Sequence, residues 1–384
     1  MHTNRRDFIK GAALAGAGAL VGGCALPRAQ ERAPALAGNF AWGALLHLGF
    51  NMWGDWTPFE KYPQTMAEAE KLMGKATFNE LGHWNNRKAG DYFGTEVPVW
   101  NAVTEEMSKE KLNLVIVDLG EAYRYPSHPE LGANGSWSRD RMNEEVRRLR
   151  GLGLEPVPKM DFSTQHDQWL KQYHYMTSTP KYYEVVGDLI RDVADVFENP
   201  RYIHIGFDEE TDRVTLHRQM AVVRHGKQFW YDFNRCVREV ERTGARAITW
   251  SDRACYGREE FLKNMSKDVV QMPWYYGDDF SDATMAWKPE FEKMPTATDM
   301  SCYKNLAAHT PLVSDEGFDM IGCTSNWEGT TATDAFVAYA KRRLDPKHLL
   351  GIVTALWAMT VERQRDWLLN GIRLLGAAKR KHYL

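Results

Sequence analysis

"YIHIGFDEE", Tyr202–Glu210, begins as a run of β-branched and aromatic residues and ends in three consecutive carboxylates. The first half has the composition of a buried strand. Such a strand does not ordinarily run into so much negative charge, because an ionised carboxylate is costly to take out of water. The stretch makes sense where a strand ends at the mouth of a pocket. Side chains alternate along a strand, so His204, Gly206 and Asp208 are expected on one interior face. Glu209 reaches the same pocket if the backbone leaves the strand there. Neighbouring carboxylates oppose each other's ionisation and push one pKa up. That pattern suits a proton donor beside an ionised partner.

The flanking sequence supplies the rest of the architecture. Upstream, Tyr182, Val185, Val186, Leu189, Ile190, Val193, Val196 and Phe197 recur at three- and four-residue steps, one apolar face of a helix that Asn199-Pro200 stops. Downstream, "FWYDFNRCVREVERTG" reads as a helix closed by Gly244. The same beat covers the chain, with strands expected in "AWGALLHLGF", "LNLVIVDLG", "EPVPKMDF", "YIHIGFDEE", "ARAITWSD", "DVVQMPWYY", "FDMIGCTSN" and "GIVTALWAM". "TDAFVAYAKRRL" and "RDWLLNGIRLLGAAKRKH" supply the last helices. Nearly continuous apolar strands alternating with helices argue for a parallel sheet covered by helices. Eight such units predict an α/β fold, a single-domain (β/α)8 TIM barrel. A doubly wound sheet ordinarily carries a G-x-G-x-x-G loop after its first strand, and the chain has none there.

In a barrel, function gathers at the C-terminal ends of the strands. Read that way, the candidates are His47, Asn51 and Trp53; Asp118 and Glu121; Asp161 and His166; Asp208, Glu209 and Glu210; Trp250 and Asp252; Trp274, Tyr275 and Tyr276; Asn326, Trp327 and Glu328; and Trp357. His204 on its apolar strand reads as a hydrogen-bonded core histidine. The chain has 14 tryptophans, and aromatic faces at strand ends suit flat, partly apolar ligands such as sugar rings. The net charge of −3 implies no basic face, which argues against nucleic acid. No calcium-loop or zinc pattern is present, so neither a cofactor nor a metal is expected.

The N-terminus reads as an address. Arg5 and Arg6 precede "GAALAGAGALVGG", a run too short and too rich in Gly and Ala to span a membrane. This resembles a twin-arginine export signal, a route that carries folded cargo. Val21-Gly22-Gly23-Cys24 resembles a lipoprotein cleavage box with Cys24 as the lipidated residue; simple cleavage nearby is the alternative. The expected organisation is a signal over 1–24, a linker over 25–38 and the barrel over 39–384. The protein is then exported to the periplasm or cell surface, touching the membrane only through a lipid anchor. Cys236, Cys255, Cys302 and Cys323 show no metal-type spacing and read as buried free thiols.

"HIGFDEE" is similar to the H-x-G-G-D-E signature of family 20 glycoside hydrolases, the β-N-acetylhexosaminidases. "VPKMDFSTQH" resembles that family's P-E-x-D-x-P-G-H segment and places Asp161 and His166. "ITWSD" resembles its tryptophan-and-acid strand, "WYY" its substrate-holding tyrosine, and "GIVTALW" its last strand with a stacking tryptophan. The resemblance implies a glycoside hydrolase acting on 2-acetamido sugars by a substrate-assisted, retaining mechanism. Asp208 would orient the acetamido group, whose oxygen attacks the anomeric carbon, and Glu209 would be the acid/base. Asp161, His166, Trp250, Asp252, Trp274, Tyr275, Trp327, Glu328 and Trp357 would contact the sugar. The chain departs from the pattern at Phe207, where the family has its second glycine, and lacks the arginine after the first strand. Two other readings are open: a retaining glycosidase using Glu209 and Glu328, and a lipid-anchored barrel that binds glycans without cleaving them.

Overall fold

The computed structural model describes residues 40–50, 90–212, 222–296 and 298–384. Asn51, Trp53, Cys24, Arg5, Arg6 and the linker lie outside the described residues. Eight parallel strands close into a barrel in sequence order. They are β1 (Ala41–His47), β2 (Leu114–Asp118), β3 (Glu155–Lys159), β4 (Tyr202–His204), β5 (Arg246–Trp250), β6 (Val270–Met272), β7 (Met320–Thr324) and β8 (Leu349–Ala355). Outside them run α1 (Val97–Lys109), α2 (Arg139–Gly151), α3 (Pro180–Val196), α4 (Gly226–Arg242), α5 (Arg258–Asn264), α6 (His309–Asp315), α7 (Ala332–Arg343) and α8 (Arg365–Tyr383). The α/β barrel fold expected from the strand–helix beat is the fold the chain adopts.

Local chemistry explains the elements. Every residue of β1, β2 and β7 is buried, as a strand covered by helices outside and side chains inside requires. Helix α3 opens on Thr179, whose side-chain oxygen accepts from the Tyr182 N–H, with Pro180 in its first turn. It buries Tyr182, Val185, Val186, Leu189, Ile190, Val193 and Val196. Each such side chain stabilises the helix by about 1.5–3 kcal/mol relative to exposure. Glu198 and Asn199 then turn left-handed, with φ of 54° and 56°, and Pro200 bars any continuation.

Strand β4 differs from expectation. Its ladder ends at His204, and the next residues do not continue the alternation: φ is 74° at Gly206, 69° at Phe207 and 51° at Glu209. Gly206 is forced by contact, since a Cβ there would stand 2.0 Å from Asp161 Oδ1. Phe207 has no such excuse, and a bulky residue held left-handed costs on the order of 1–3 kcal/mol. Its ring offsets that cost. It is buried edge-on against Phe229 and Phe233, with centroids 5.8 and 5.2 Å away, and the Arg224 guanidinium lies 4.9 Å over it. Removing a buried Phe costs roughly 3–5 kcal/mol, so packing outweighs strain and the turn holds without the second glycine.

Candidate active site

The kinked exit from β4 delivers Asp208 and Glu209 to a cavity of about 190 Å³ at the C-terminal ends of the strands. Its other walls are Trp250 at the end of β5, Trp274 and Tyr276 after β6, Trp327 and Glu328 after β7, and Trp357 after β8. Trp274 and Tyr276 stack with centroids 5.2 Å apart, and Trp357 lies 5.9 Å from Trp250 and 6.2 Å from Tyr276. Aromatic walls with three carboxylates between them suit a ligand with apolar faces and a hydroxylated edge.

Asp208 is 5% exposed. One of its oxygens, Oδ2, lies 3.4 Å from His166 Nε2. The other, Oδ1, is buried with no partner among the described residues, and so is the indole N–H of Trp250. Glu209 is more open, 35% exposed, with Oε2 3.5 Å from the same His166 nitrogen. Asp252 holds the Glu209 backbone: its Oδ2 accepts the Glu209 N–H at 3.0 Å and the Tyr256 hydroxyl at 2.7 Å. Ser163 donates from its hydroxyl to the Asp208 carbonyl.

The electrostatics follow from burial. Burial, then the Asp161 carboxylate, raise the Asp208 pKa to about 8, against the pull of His166. Burial would lower His166, but the Asp208 charge and hydrogen bonds to Asp208 and Glu209 raise it to about 10. The imidazole therefore keeps its proton between the two carboxylates. Burial and the charge of Glu209 raise Asp252 to about 6, opposed by the hydrogen bonds it accepts. His166, Asp208 and Glu209 bring metal-type donor atoms within 4.8 Å of one another.

Beneath the pocket lies a charged layer. His47, Asp118, Lys159 and His204 are successive cross-strand partners on β1 to β4. Lys159 Nζ donates to Asp118 Oδ2 at 2.9 Å and to Asp161 Oδ2 at 3.0 Å, all three side chains being essentially unexposed. His47 Nδ1 stands 3.2 Å from Asp118. The Gly206 N–H donates to His204 Nδ1 at 3.0 Å, and burial holds that ring neutral.

The sequence candidates thus fall into groups. Asp208, Glu209, Trp250, Trp274, Trp327, Glu328 and Trp357 line the cavity; His166 and Asp252 touch the acidic pair from behind; Asp161 sits under Gly206 in the charged layer. Tyr275 points elsewhere, its ring edge-on to Phe280 at 5.3 Å, and Tyr276 lines the cavity in its place. The period of two in "WYY" carries that information, since Trp274 and Tyr276 share a side. Glu210 is occupied by the buried Arg224 guanidinium, whose Nε is 2.8 Å from Oε1. Glu121 accepts the Phe50 N–H at 2.8 Å and Asn326 donates to the Trp367 carbonyl at 3.2 Å, so both tie down backbone. Sequence reasoning missed Lys159 and Arg224, whose partners come from other segments of the chain.

Comparison with solved structures finds the same barrel fold in other proteins. An inactive mutant of the GH20 exo-β-N-acetylglucosaminidase from Vibrio harveyi aligns with a TM-score of 0.53 and 15% identity, over 76% of this chain and 53% of that one. The β-hexosaminidase of Streptomyces plicatus in complex with its product GlcNAc gives 0.52 and 14%, over 88% and 64%. The β-N-acetylhexosaminidase of Streptomyces coelicolor gives 0.53 and 12%, over 90% and 69%. At these identities the likeness speaks to the fold, and the chain spans about half the length of the first of them. No curated protein matches the chain. Residues 2–22 match the signal sequence of the twin-arginine translocation pathway, which directs export across the membrane. Residues 150–369, more than half of the chain, match the glycosyl hydrolase family 20 catalytic domain, and the chain belongs to that family.

Proposed function

We propose that the protein hydrolyses glycosides of 2-acetamido sugars by a retaining mechanism in which the substrate's own acetamido oxygen is the nucleophile. The observation that carries this reading is Asp208: a buried carboxylate with one oxygen beside His166 and the other without a partner among the described residues, in an aromatic pocket next to Glu209. The free oxygen accepts the acetamido N–H and turns the carbonyl oxygen toward the anomeric carbon. As that oxygen bonds to carbon, Glu209 gives its proton to the departing glycosidic oxygen. Water then opens the cyclic intermediate, and Glu209 takes back a proton. The aromatic walls hold the apolar faces of the ring, and Glu328 takes hydroxyl hydrogens.

A second reading rests on the presence of Glu328 in the same cavity as Glu209. There Glu328 attacks the sugar itself, which requires the two carboxyl groups to stand about 5–5.5 Å apart. The deciding experiment is a panel of aryl β-glycosides with and without the 2-acetamido group. Cleavage confined to the acetamido members is expected; equal cleavage of both classes removes the substrate-assisted scheme, and no cleavage of either favours a glycan-binding barrel.

The domain plan of signal (1–24), linker (25–38) and catalytic barrel (39–384) is proposed with it, as is a lipid anchor on Cys24. No helix among the described residues is long and apolar enough to cross a membrane. Cys24→Ala is expected to abolish incorporation of labelled fatty acid during expression; retained label disproves the anchor at Cys24.

A further inference from the structure

The charged layer beneath the pocket asks why a barrel core holds a lysine. Lys159 is 1% exposed, and its ammonium is gripped by carboxylates from two places, Asp118 on β2 and Asp161 just beyond β3. A buried ion pair is seldom worth more to stability than apolar side chains of equal volume. The quoted family segment has a glutamate after its proline; this chain has a buried cation there.

We propose that Lys159 is a positioning residue for the reaction, the fixed buried cation that answers the Asp161 charge beneath Asp208 and so favours the ionised form of Asp208 that receives the substrate. This rests on the mechanism proposed above, in which Asp208 accepts the acetamido N–H.

The geometry leads there in three steps. First, Asp161 sits directly under the turn that carries Asp208, close enough that Gly206 has no room for a Cβ. Its charge therefore opposes ionisation of Asp208, as does that of Asp252 after β5. Second, among the described residues few groups can answer those charges: Arg253, after β5, is drawn to Glu210 and Asp252. His47 on β1 lies against Asp118, His204 on β4 is held neutral by burial and by Lys159 itself, and His166 after β3 is already shared between Asp208 and Glu209. Third, Lys159 reaches Asp161 directly and lies one cross-strand step from both Asp118 and His204. Burial opposes its charge, yet the carboxylates, Asp208 among them, keep it protonated.

Two substitutions are expected to move the acidic limb of kcat/KM in opposite directions. An opposite charge within a few ångströms shifts a carboxyl by about 1–3 pH units. Lys159→Met exposes Asp208 to the unanswered Asp161 charge, and the limb moves up by about one pH unit or more. Asp161→Asn removes the repulsion, and the limb moves down. The double variant, which loses one charge of each sign, returns toward wild type. If Lys159→Met does not fold, the double variant compared with Asp161→Asn alone reads the same coupling. A purely structural lysine lowers activity equally at all pH values and leaves the limb in place, which overturns the proposal. Asp208→Asn run beside them separates the failures. If that variant keeps full activity on acetamido substrates, the parent mechanism falls. If it is inactive while the limb stays fixed in the Lys159 and Asp161 variants, only the role of Lys159 falls.

Discussion

Glu209→Gln is expected to lower turnover by about 10²–10⁴-fold on glycosides with poor leaving groups, the usual contribution of a positioned general acid. Activated aryl leaving groups need less protonation and should lose less, so the ratio of the two losses is the measurement. Asp208→Asn should act differently, harming acetamido substrates selectively because the lost contact acts on the attacking group. Glu328→Gln arbitrates: in the substrate-assisted scheme it raises KM, whereas near-complete inactivation would make it the nucleophile. The pH dependence has a definite sign. Asp208 must be ionised to accept the N–H, and burial and Asp161 raise its pKa to about 8. In the free enzyme the acidic limb of kcat/KM should therefore lie above the range of an ordinary carboxylate, and loss of the Glu209 proton should set the opposite limb. Full activity of Glu209→Gln on an unactivated glycoside would remove Glu209 from the chemistry. Glu210 would be a poor replacement, since Arg224 occupies both of its oxygens.

The second large effect is on stability. Arg224→Met should destabilise the fold by about 3–5 kcal/mol, as breaking a buried ion pair does when one charge is left behind. Arg224 donates to Glu210, to Asp232 Oδ2 at 3.2 Å and to the Phe162 carbonyl at 2.8 Å. Asp232 would survive the loss, because the Tyr183 hydroxyl at 2.6 Å and Gln228 at 2.8 Å still reach it. Glu210 keeps the backbone N–H groups of residue 224 and Thr164 but loses its ion pair, so Arg224→Met/Glu210→Leu should recover part of the lost stability. The shift of the denaturation midpoint, read with the slope of the transition, gives the number. A change below about 1 kcal/mol would mean that water answers the Glu210 charge.

The barrel was legible because its strands are covered on both sides and read as unbroken apolar runs, and because α3 keeps a strict helical period. Eight aromatic and acidic residues at strand ends could be assigned to one mouth for the same reason: topology, once known, says which ends converge. The β4 exit was not legible. Nothing about Phe207 as a side chain announces a left-handed backbone; the ring packing that holds it comes from α4. Lys159 was hidden differently. It lies within the expected strand "EPVPKMDF", and only the register with Asp118 and His204 shows that it turns inward to a carboxylate. Arg224 stands 14 residues from its Glu210 partner, beyond any helical or strand period.

The four described cysteines carry a consequence for life outside the cell. All are free and buried, and burial pushes the Cys236 and Cys302 thiols up to about 12 and raises those of Cys255 and Cys323 well above the ordinary thiol range. The thiolate is the form that oxidants and disulfides attack, and at neutral pH it is nearly absent here. A chain that crosses the membrane already folded, as the twin-arginine route requires, carries these four thiols across withdrawn from exchange.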